Sequence, residues 1–248
     1  VVRYAPTATG LQSGTMDVNY FDGVANQTAQ RGVIGVGAAP ASLSLSEGPA
    51  YDYGSLPVGA SADKSFTLTN SGGVSASAIV GSGLAAPYTF KGGLFPGTGG
   101  NCTASLAASA TCTVVVTFAP TSTGTPTDAI DVAYNDGVNP QSTSRNLLGT
   151  AVAPGNIGIS DGPTFNYGTL ATGATADHTF TLTNTGGYVV TSMTGNGLSG
   201  AYSFKGGSYP GTGGSCGSSM AAGGTCSVVV TFAPTITGTL TGTFNIGF

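Results

Sequence analysis

The sequence predicts an all-β chain of antiparallel sandwich domains placed in tandem, and two observations carry that prediction. First, the stretch Thr111 to Thr121, TCTVVVTFAPT, returns almost unchanged as TCSVVVTFAPT from Thr225 to Thr235, an offset of 114 residues (225 − 111 = 114). A beheaded third copy, VVRYAPT, opens the chain at Val1 to Thr7. Applied without a gap, the same offset carries residues 1–134 onto residues 115–248, and a fixed period of that length marks a whole domain laid down repeatedly. Second, apolar residues fall in short runs of alternating parity, about seven per period, divided by Gly, Pro and Asp-Gly turn signals. No amphipathic helix of useful length interrupts them.

Two periods and a remainder of 20 account for the 248 residues, so the sequence reads as a window on a longer array. Its expected parts are residues 1–40, the last strands of a preceding repeat; 41–154, a complete repeat; and 155–248, a repeat lacking its last strand or strands. Residues 1–40 match 115–154, and strand character is clear at Thr15 to Tyr20, where Met16, Val18 and Tyr20 share one parity. Phe21-Asp22-Gly23, matched by Asn135-Asp136-Gly137, predicts a hairpin turn, with return strands through Val33-Ile34 and Leu147-Leu148. Gly37-Ala38-Ala39-Pro40 and Ala151-Val152-Ala153-Pro154 are the expected linkers, short enough to favour a stiff rod over a flexible string.

The full repeat opens with Leu43-Ser44-Leu45-Ser46, a Gly48-Pro49 break, and Tyr53-Gly54-Ser55-Leu56 leading to Gly59. Its first long strand is Ser65 to Asn70, with Phe66 and Leu68 on one face and Thr67 and Thr69 on the other. Strands are expected at Ala76 to Val80 and around Tyr88 and Phe90, followed by the glycine-rich FPGTGG of Phe95 to Gly100. On the strand after Thr111, Cys112, Val114, Val116 and Phe118 share the expected core face; Pro120 and Gly124 end it before the strand Thr127 to Tyr134.

Charged residues make up only 6% and Gly numbers 42, so solubility rests on hydroxyls and backbone, while a 40% hydrophobic fraction argues for folding. The net charge is −4 and the cations Arg3, Arg31, Lys64, Lys91, Arg145 and Lys205 are scattered, which argues against nucleic acid as a partner. No apolar run approaches the length of a membrane span. The four cysteines form two equivalent pairs, Cys102 with Cys112 and Cys216 with Cys226, which predicts a disulfide in each repeat and an oxidising, extracellular or cell-surface setting. Zinc is the rival reading, but two Cys per repeat with no His nearby supply too few ligands.

The order Tyr53-Gly54-Ser55-Leu56 with Gly59, then Phe66-Thr67-Leu68-Thr69-Asn70-Ser71-Gly72, then Cys102 to Cys112, then Val114-Val115-Val116-Thr117-Phe118-Ala119-Pro120 with Gly124, resembles the immunoglobulin-like repeats of bacterial extracellular proteins of the choice-of-anchor D type, which are similar to the ASPM, SPD-2 and Hydin family. Residues 155–248 show the same order, from Tyr167-Gly168 to Phe232-Ala233-Pro234 and Gly238. The resemblance implies tandem immunoglobulin-like sandwiches used as spacer, stalk or attachment modules, and it brings no catalytic residues with it.

Candidate chemistry is sparse. His178 is the only histidine, its counterpart is Lys64, and no Ser or carboxylate is singled out as its partner, so it reads as a surface strand residue. Pro96 to Gly100 and Pro210 to Gly214 lack the Lys and Ser or Thr of a phosphate-binding loop; they read as mobile or tightly turned segments, with Phe95, Gly97, Thr98, Gly99 and Gly100, and Tyr209, Gly211, Thr212, Gly213 and Gly214, as candidate contact residues. Asp17, Asp22, Asp131 and Asp136 are candidate calcium ligands at a repeat junction, but Asp22 and Asp136 read better as turn residues. Asn26-Gln27-Thr28 and Asn101-Cys102-Thr103 match the glycosylation pattern. No cofactor, metal or catalytic residue is expected. The leading expectation is a non-catalytic structural segment of a long surface protein or filament; the alternative is a glycan- or host-protein-binding adhesion module acting through the glycine-rich loops. Expected partners are neighbouring repeats or copies of itself, by strand complementation where the covalent array does not continue past Phe248. Continuation is the favoured expectation of the two.

Overall fold

The computed structural model of the chain describes residues 1–248, and every regular element in it is a β-strand. Strands β1 (Gly10–Phe21) and β2 (Asn26–Gly37) form an antiparallel hairpin paired from Gly10↔Gly37 to Phe21↔Asn26. The Asp22 carboxylate closes its turn by accepting the Val24 and Ala25 N–H groups, both at 2.8 Å.

Nine strands follow: β3 (Leu43–Leu45), β4 (Ala50–Pro57), β5 (Ala62–Asn70), β6 (Ala76–Ser82), β7 (Tyr88–Phe90), β8 (Ser105–Leu106), β9 (Thr111–Phe118), β10 (Thr127–Asn135) and β11 (Pro140–Val152). They make a four-stranded sheet, β3-β5-β9-β7, and a five-stranded sheet, β4-β11-β10-β6-β8, the immunoglobulin-like division of strands between two sheets. Alternation explains the core. Phe66 and Leu68 of β5 and Val114, Val116 and Phe118 of β9 are buried from one sheet, as are Ile79, Ile130, Val132 and Leu147 from the other. Tyr88 stacks on Phe118 with ring centroids 4.9 Å apart.

The last eight strands are β12 (Ile157–Ile159), β13 (Ala176–Asn184), β14 (Val190–Thr191), β15 (Thr194–Asn196), β16 (Tyr202–Phe204), β17 (Ser219–Met220), β18 (Thr225–Phe232) and β19 (Asn245–Gly247). They form the sheet β12-β13-β18-β16 and the pairs β14-β17 and β15-β19. Phe180, Leu182, Val190, Met193, Phe204, Met220, Val228 and Val230 make their core, and Tyr202 stacks on Phe232 at 4.9 Å.

Pairing registers coincide under the 114-residue offset. Ala62↔Phe118 becomes Ala176↔Phe232, Tyr88↔Phe118 becomes Tyr202↔Phe232, and Leu43↔Asn70 becomes Ile157↔Asn184. Asp131↔Ser82 becomes Asn245↔Asn196, and in the other direction Thr127↔Leu148 becomes Ser13↔Ile34. Even the irregularity at Ala78, which has a positive φ of 51°, is repeated at Ser192 with 57° (78 + 114 = 192).

Asn70 and Asn184 are fully buried and serve as polar hubs. Asn70 Nδ2 donates to the carbonyls of Val74, Leu106 and Ala107, while its Oδ1 accepts from Ser42 and Gly72. Asn184 repeats all five bonds with Tyr188, Met220, Ala221, Asn156 and Gly186. Loop carbonyls that would be orphaned in the interior are satisfied this way. By internal contacts the chain divides into two compact units, residues 1–52, 62–118 and 127–148, and residues 53–61, 119–126 and 149–248.

Candidate functional site

The cysteines bridge as their spacing predicts. Cys102–Cys112 and Cys216–Cys226 have Cα atoms 4.9 and 4.8 Å apart, and no cysteine is free. Each joins residues 10 apart in sequence, and the closed loop contributes about 3 kcal/mol by restricting the unfolded chain. Such bridges belong to a chain that folds in an oxidising compartment.

Beside each bridge lies the glycine-rich loop, and it is clamped by backbone bonds. Val115 N–H donates to the Pro96 carbonyl at 2.7 Å, Lys91 N–H to the Val115 carbonyl at 3.0 Å, and Asn101 N–H to the Thr113 carbonyl at 3.0 Å. Residues 96–101 thereby continue the pairing that β7 begins on β9 and cover the free edge of that strand. The twin loop does the same, with Val229 N–H on Pro210, Lys205 N–H on Val229 and Ser215 N–H on Ser227. Gly97 shows why the sequence needs glycine here: its φ is +90° and a Cβ would lie 2.2 Å from the Val115 carbonyl oxygen; Gly211 repeats this against Val229. Of the two alternatives the sequence left open, mobile or tightly turned, the backbone bonds select the tight turn.

The candidate contact residues separate accordingly. The Phe95 ring lies over Gly81 and edge-on to Phe90 at 5.5 Å, and Tyr209 lies over Gly195 and edge-on to Phe204 at 5.7 Å, so both rings anchor the loop inward. Gly97 and Gly211 are buried and Gly100 and Gly214 half-buried, leaving Thr98 and Gly99, with Thr212 and Gly213, facing solvent. Leu94 is an exposed apolar neighbour of the first loop; Ser208 takes its place in the second.

Charged groups are few, and four ion pairs join some of them. Asp63 binds Lys91 at 2.7 Å and the Thr117 hydroxyl at 2.6 Å, and Asp177 binds Lys205 and Thr231 at 2.8 and 2.6 Å. The lysine partners, then the threonine hydroxyls, hold both carboxyls below the usual range. Asp136 is lowered by the N–H groups of Asn139 and Val138, so it is a turn residue whose oxygens are already engaged. Burial pushes the Tyr88 and Tyr167 phenols up to about 12. His178 sits on β13, 3.1 Å from Asp161, with its ring stacked 3.6 Å from Phe165. Lys64, its counterpart, binds Glu47 at 2.8 Å and lies 4.6 Å from the Tyr51 ring. A shallow groove over β12 and β13 is lined by Gly158, Ile159, Ser160, Thr181, Thr183 and Thr185, none of them a charged group. Asn101 Oδ1 accepts the Thr113 N–H at 2.7 Å, so that side chain is an edge clamp as well.

The β1–β2 hairpin, expected from the sequence as the last strands of a preceding repeat, presents an apolar face. Its Met16, Val18, Tyr20 and Val33 are 40%, 50%, 52% and 41% exposed, whereas the same positions on β10 and β11, Ile130, Val132, Tyr134 and Leu147, are 0%, 0%, 8% and 0% exposed. The signal was present as the shared parity of Met16, Val18 and Tyr20; what parity cannot say is whether a second sheet covers it.

No family model matches the chain, and no curated protein matches it. Solved structures are similar to parts of it. The ASH / PapD-like domain of human CEP192 (PapD-like domain 7) has a TM-score of 0.36 and 18% identity over 46% of this chain and 88% of its own. A protein of unknown function from Porphyromonas gingivalis W83 has a TM-score of 0.36 and 11% identity over 77% of this chain and 83% of its own. The secreted serine protease VesC from Vibrio cholerae has a TM-score of 0.32 and 13% identity over 84% of this chain and 50% of its own. At such scores neither activity nor partner carries over.

Proposed function

We propose that the chain is a non-catalytic structural segment of a long extracellular bacterial surface protein or filament, an adhesin stalk or fibre block. Residues 41–154 and 155–248 are read as successive immunoglobulin-like repeats and 1–40 as the end of another. The observation that carries this reading is the coincidence of strand registers at one offset, Ala62↔Phe118 with Ala176↔Phe232 and Thr127↔Leu148 with Ser13↔Ile34. Multiplying one fold supplies length and surface, and it spreads side chains evenly where an active site would concentrate them. Two bridges and loops closed by backbone bonds suit exposure outside the cell. No helix is long and apolar enough to cross a membrane.

A second reading, adhesion through the loops to a glycan or a host protein, is favoured by the exposed Leu94 next to Thr98 and Gly99. One experiment separates the two: the chain is screened against glycan arrays and cell-surface extracts, with Leu94→Ser as control. The scaffold reading predicts no binding. Saturable binding lost in Leu94→Ser would replace it with the adhesion reading, and turnover of any glycan would overturn both.

A further inference from the structure

We propose that Asn26 is a modification site that carries an N-linked sugar, and that the Phe21 ring is the platform on which the first sugar rests. This goes beyond the scaffold reading and does not depend on it.

Asn26-Gln27-Thr28 has the acceptor pattern for an N-linked sugar, and the structure places it at a hairpin tip. Asn26 is the first residue of β2, directly after the turn that Asp22 closes. Strand alternation decides which way it points. Tyr20 pairs with Gln27 and Val18 with Ala29, so Gln27 and Ala29 share the side of Met16, Val18 and Tyr20, while Asn26 and Thr28 lie on the other side. The bond from the Thr28 hydroxyl to Asn19 Oδ1, at 2.7 Å, lies on that second side as well. It is an open surface in a complete repeat too: the positions equivalent to Asn19, Asn26 and Thr28 on β10 and β11 are Ala133, Pro140 and Ser142 (19 + 114 = 133, 26 + 114 = 140, 28 + 114 = 142), and all three are exposed there. Packing of the apolar face leaves this side free.

Phe21 is the second observation. It pairs directly with Asn26 across the ladder, on the same side, and is 64% exposed. Residues so opposed have Cβ atoms about 5 Å apart, which brings a sugar on Asn26 over the ring. The C–H face of a pyranose is apolar and buries the ring against it. Core packing gives this ring no role, since it points away from the apolar face and its counterpart is Asn135 (21 + 114 = 135).

The other acceptor pattern, Asn101-Cys102-Thr103, is tied into the fold. Asn101 Oδ1 accepts the Thr113 N–H at 2.7 Å, Cys102 is bridged to Cys112, and the Thr103 hydroxyl donates to the Ser105 carbonyl at 2.9 Å. Transfer to the folded chain therefore selects Asn26. In that transfer the bond from Asn26 Nδ2 to the sugar C1 forms while the C1–O bond of a sugar diphosphate donor breaks. The diphosphate leaves with the electron pair, and the amide proton passes to a base of the transferase; this chain supplies only the acceptor.

Peptide mass spectrometry of the chain isolated from the cells that make it tests the site. Cleavage after Arg3 and Arg31 releases residues 4–31, and cleavage after Lys91 and Arg145 releases residues 92–145, so the two patterns are read separately. The expected result is a sugar on Asn26 in the first peptide, an unmodified Asn101 in the second, and loss of the sugar in Thr28→Ala, an exposed position. The platform is read by proton NMR of the modified chain: sugar C–H resonances are expected to be shifted upfield by the Phe21 ring and to return to ordinary positions in Phe21→Ser. A bare Asn26, a sugar that persists in Thr28→Ala, or a sugar on Asn101 overturns the site, and unshifted resonances overturn the platform. Each of these leaves the scaffold reading standing, since that is tested by the glycan and turnover screens.

Discussion

Residues 41–154 and 155–248 carry nearly the same instructions and finish differently. Tyr53-Gly54-Ser55-Leu56 belongs to strand β4, whereas Tyr167-Gly168-Thr169-Leu170 is irregular; β6 is one strand of seven residues, but its counterpart is split into β14 and β15; β10 has nine residues and β19 three. The four-stranded sheets agree pair for pair. Only the second sheet differs, and pairing accounts for it: β11 hydrogen-bonds both β4 and β10, whereas residues 164–171 join no sheet and β19 pairs β15 alone. Strand identity in this chain is therefore a property of pairs. A sequence that reads as a strand becomes one when a partner takes up its backbone groups.

If the two cores are truly equivalent, equal insults cost equally. Leu68→Ala and Leu182→Ala, both at fully buried positions, are each expected to destabilise their own sandwich by about 2–5 kcal/mol, measured by denaturant unfolding. A large loss at one and a negligible loss at the other breaks the comparison. Next in size come the bridges. Replacing Cys102 and Cys112 together by Ser, or Cys216 and Cys226 together, is expected to cost about 3 kcal/mol in either half, read by the same unfolding curves. A cost confined to one half shows that the two loops are held differently.

The smallest effect separates the halves by pH. Glu47 raises the Lys64 pKa above 10.5, so the stability this pair contributes is complete below that value and is lost as pH rises through the folded-state pKa. In the other half the Ser160 hydroxyl and then His178 lower the Asp161 pKa below 3.8, so that contribution is present above 3.8 and is lost as pH falls through the folded value. Lys64→Met is expected to flatten the alkaline limb of the stability profile and Asp161→Asn the acid limb, both slightly, because these pairs are exposed to water. Thermal midpoints across pH check it; variants that alter the opposite limbs contradict the assignment.

Much of this architecture was legible from residues alone, and where it was not the reason is non-local. Alternation located β5 and β9, where Phe66, Leu68, Val114 and Val116 obey period two and are buried, and it placed a strand over β10. Val115, which has the other parity, is also buried, because the glycine-rich loop folds back over it, an event set by residues 96–101 and invisible within the strand. Strand β4 was missed because its pattern is broken at Gly54, where φ is +73°, and β8 because two residues show no period. Asn70 looked like the end of a strand; its hub role depends on carbonyls up to 37 residues away. For the glycine-rich loops the sequence left mobile and tightly turned both open, because glycine signals conformational freedom and close backbone approach with the same letter; the backbone bonds of residues 96–101 decide for the tight turn.

A segment of this chain becomes a strand when a neighbouring strand takes up its backbone groups, and amide hydrogen exchange of the dilute monomer tests this most directly. Slow exchange is predicted throughout β5, β9, β13 and β18 and within β4 at residues 50–57, with fast exchange across residues 164–171. Protection of 164–171 equal to that of 50–57 in a chain shown to be monomeric would contradict it.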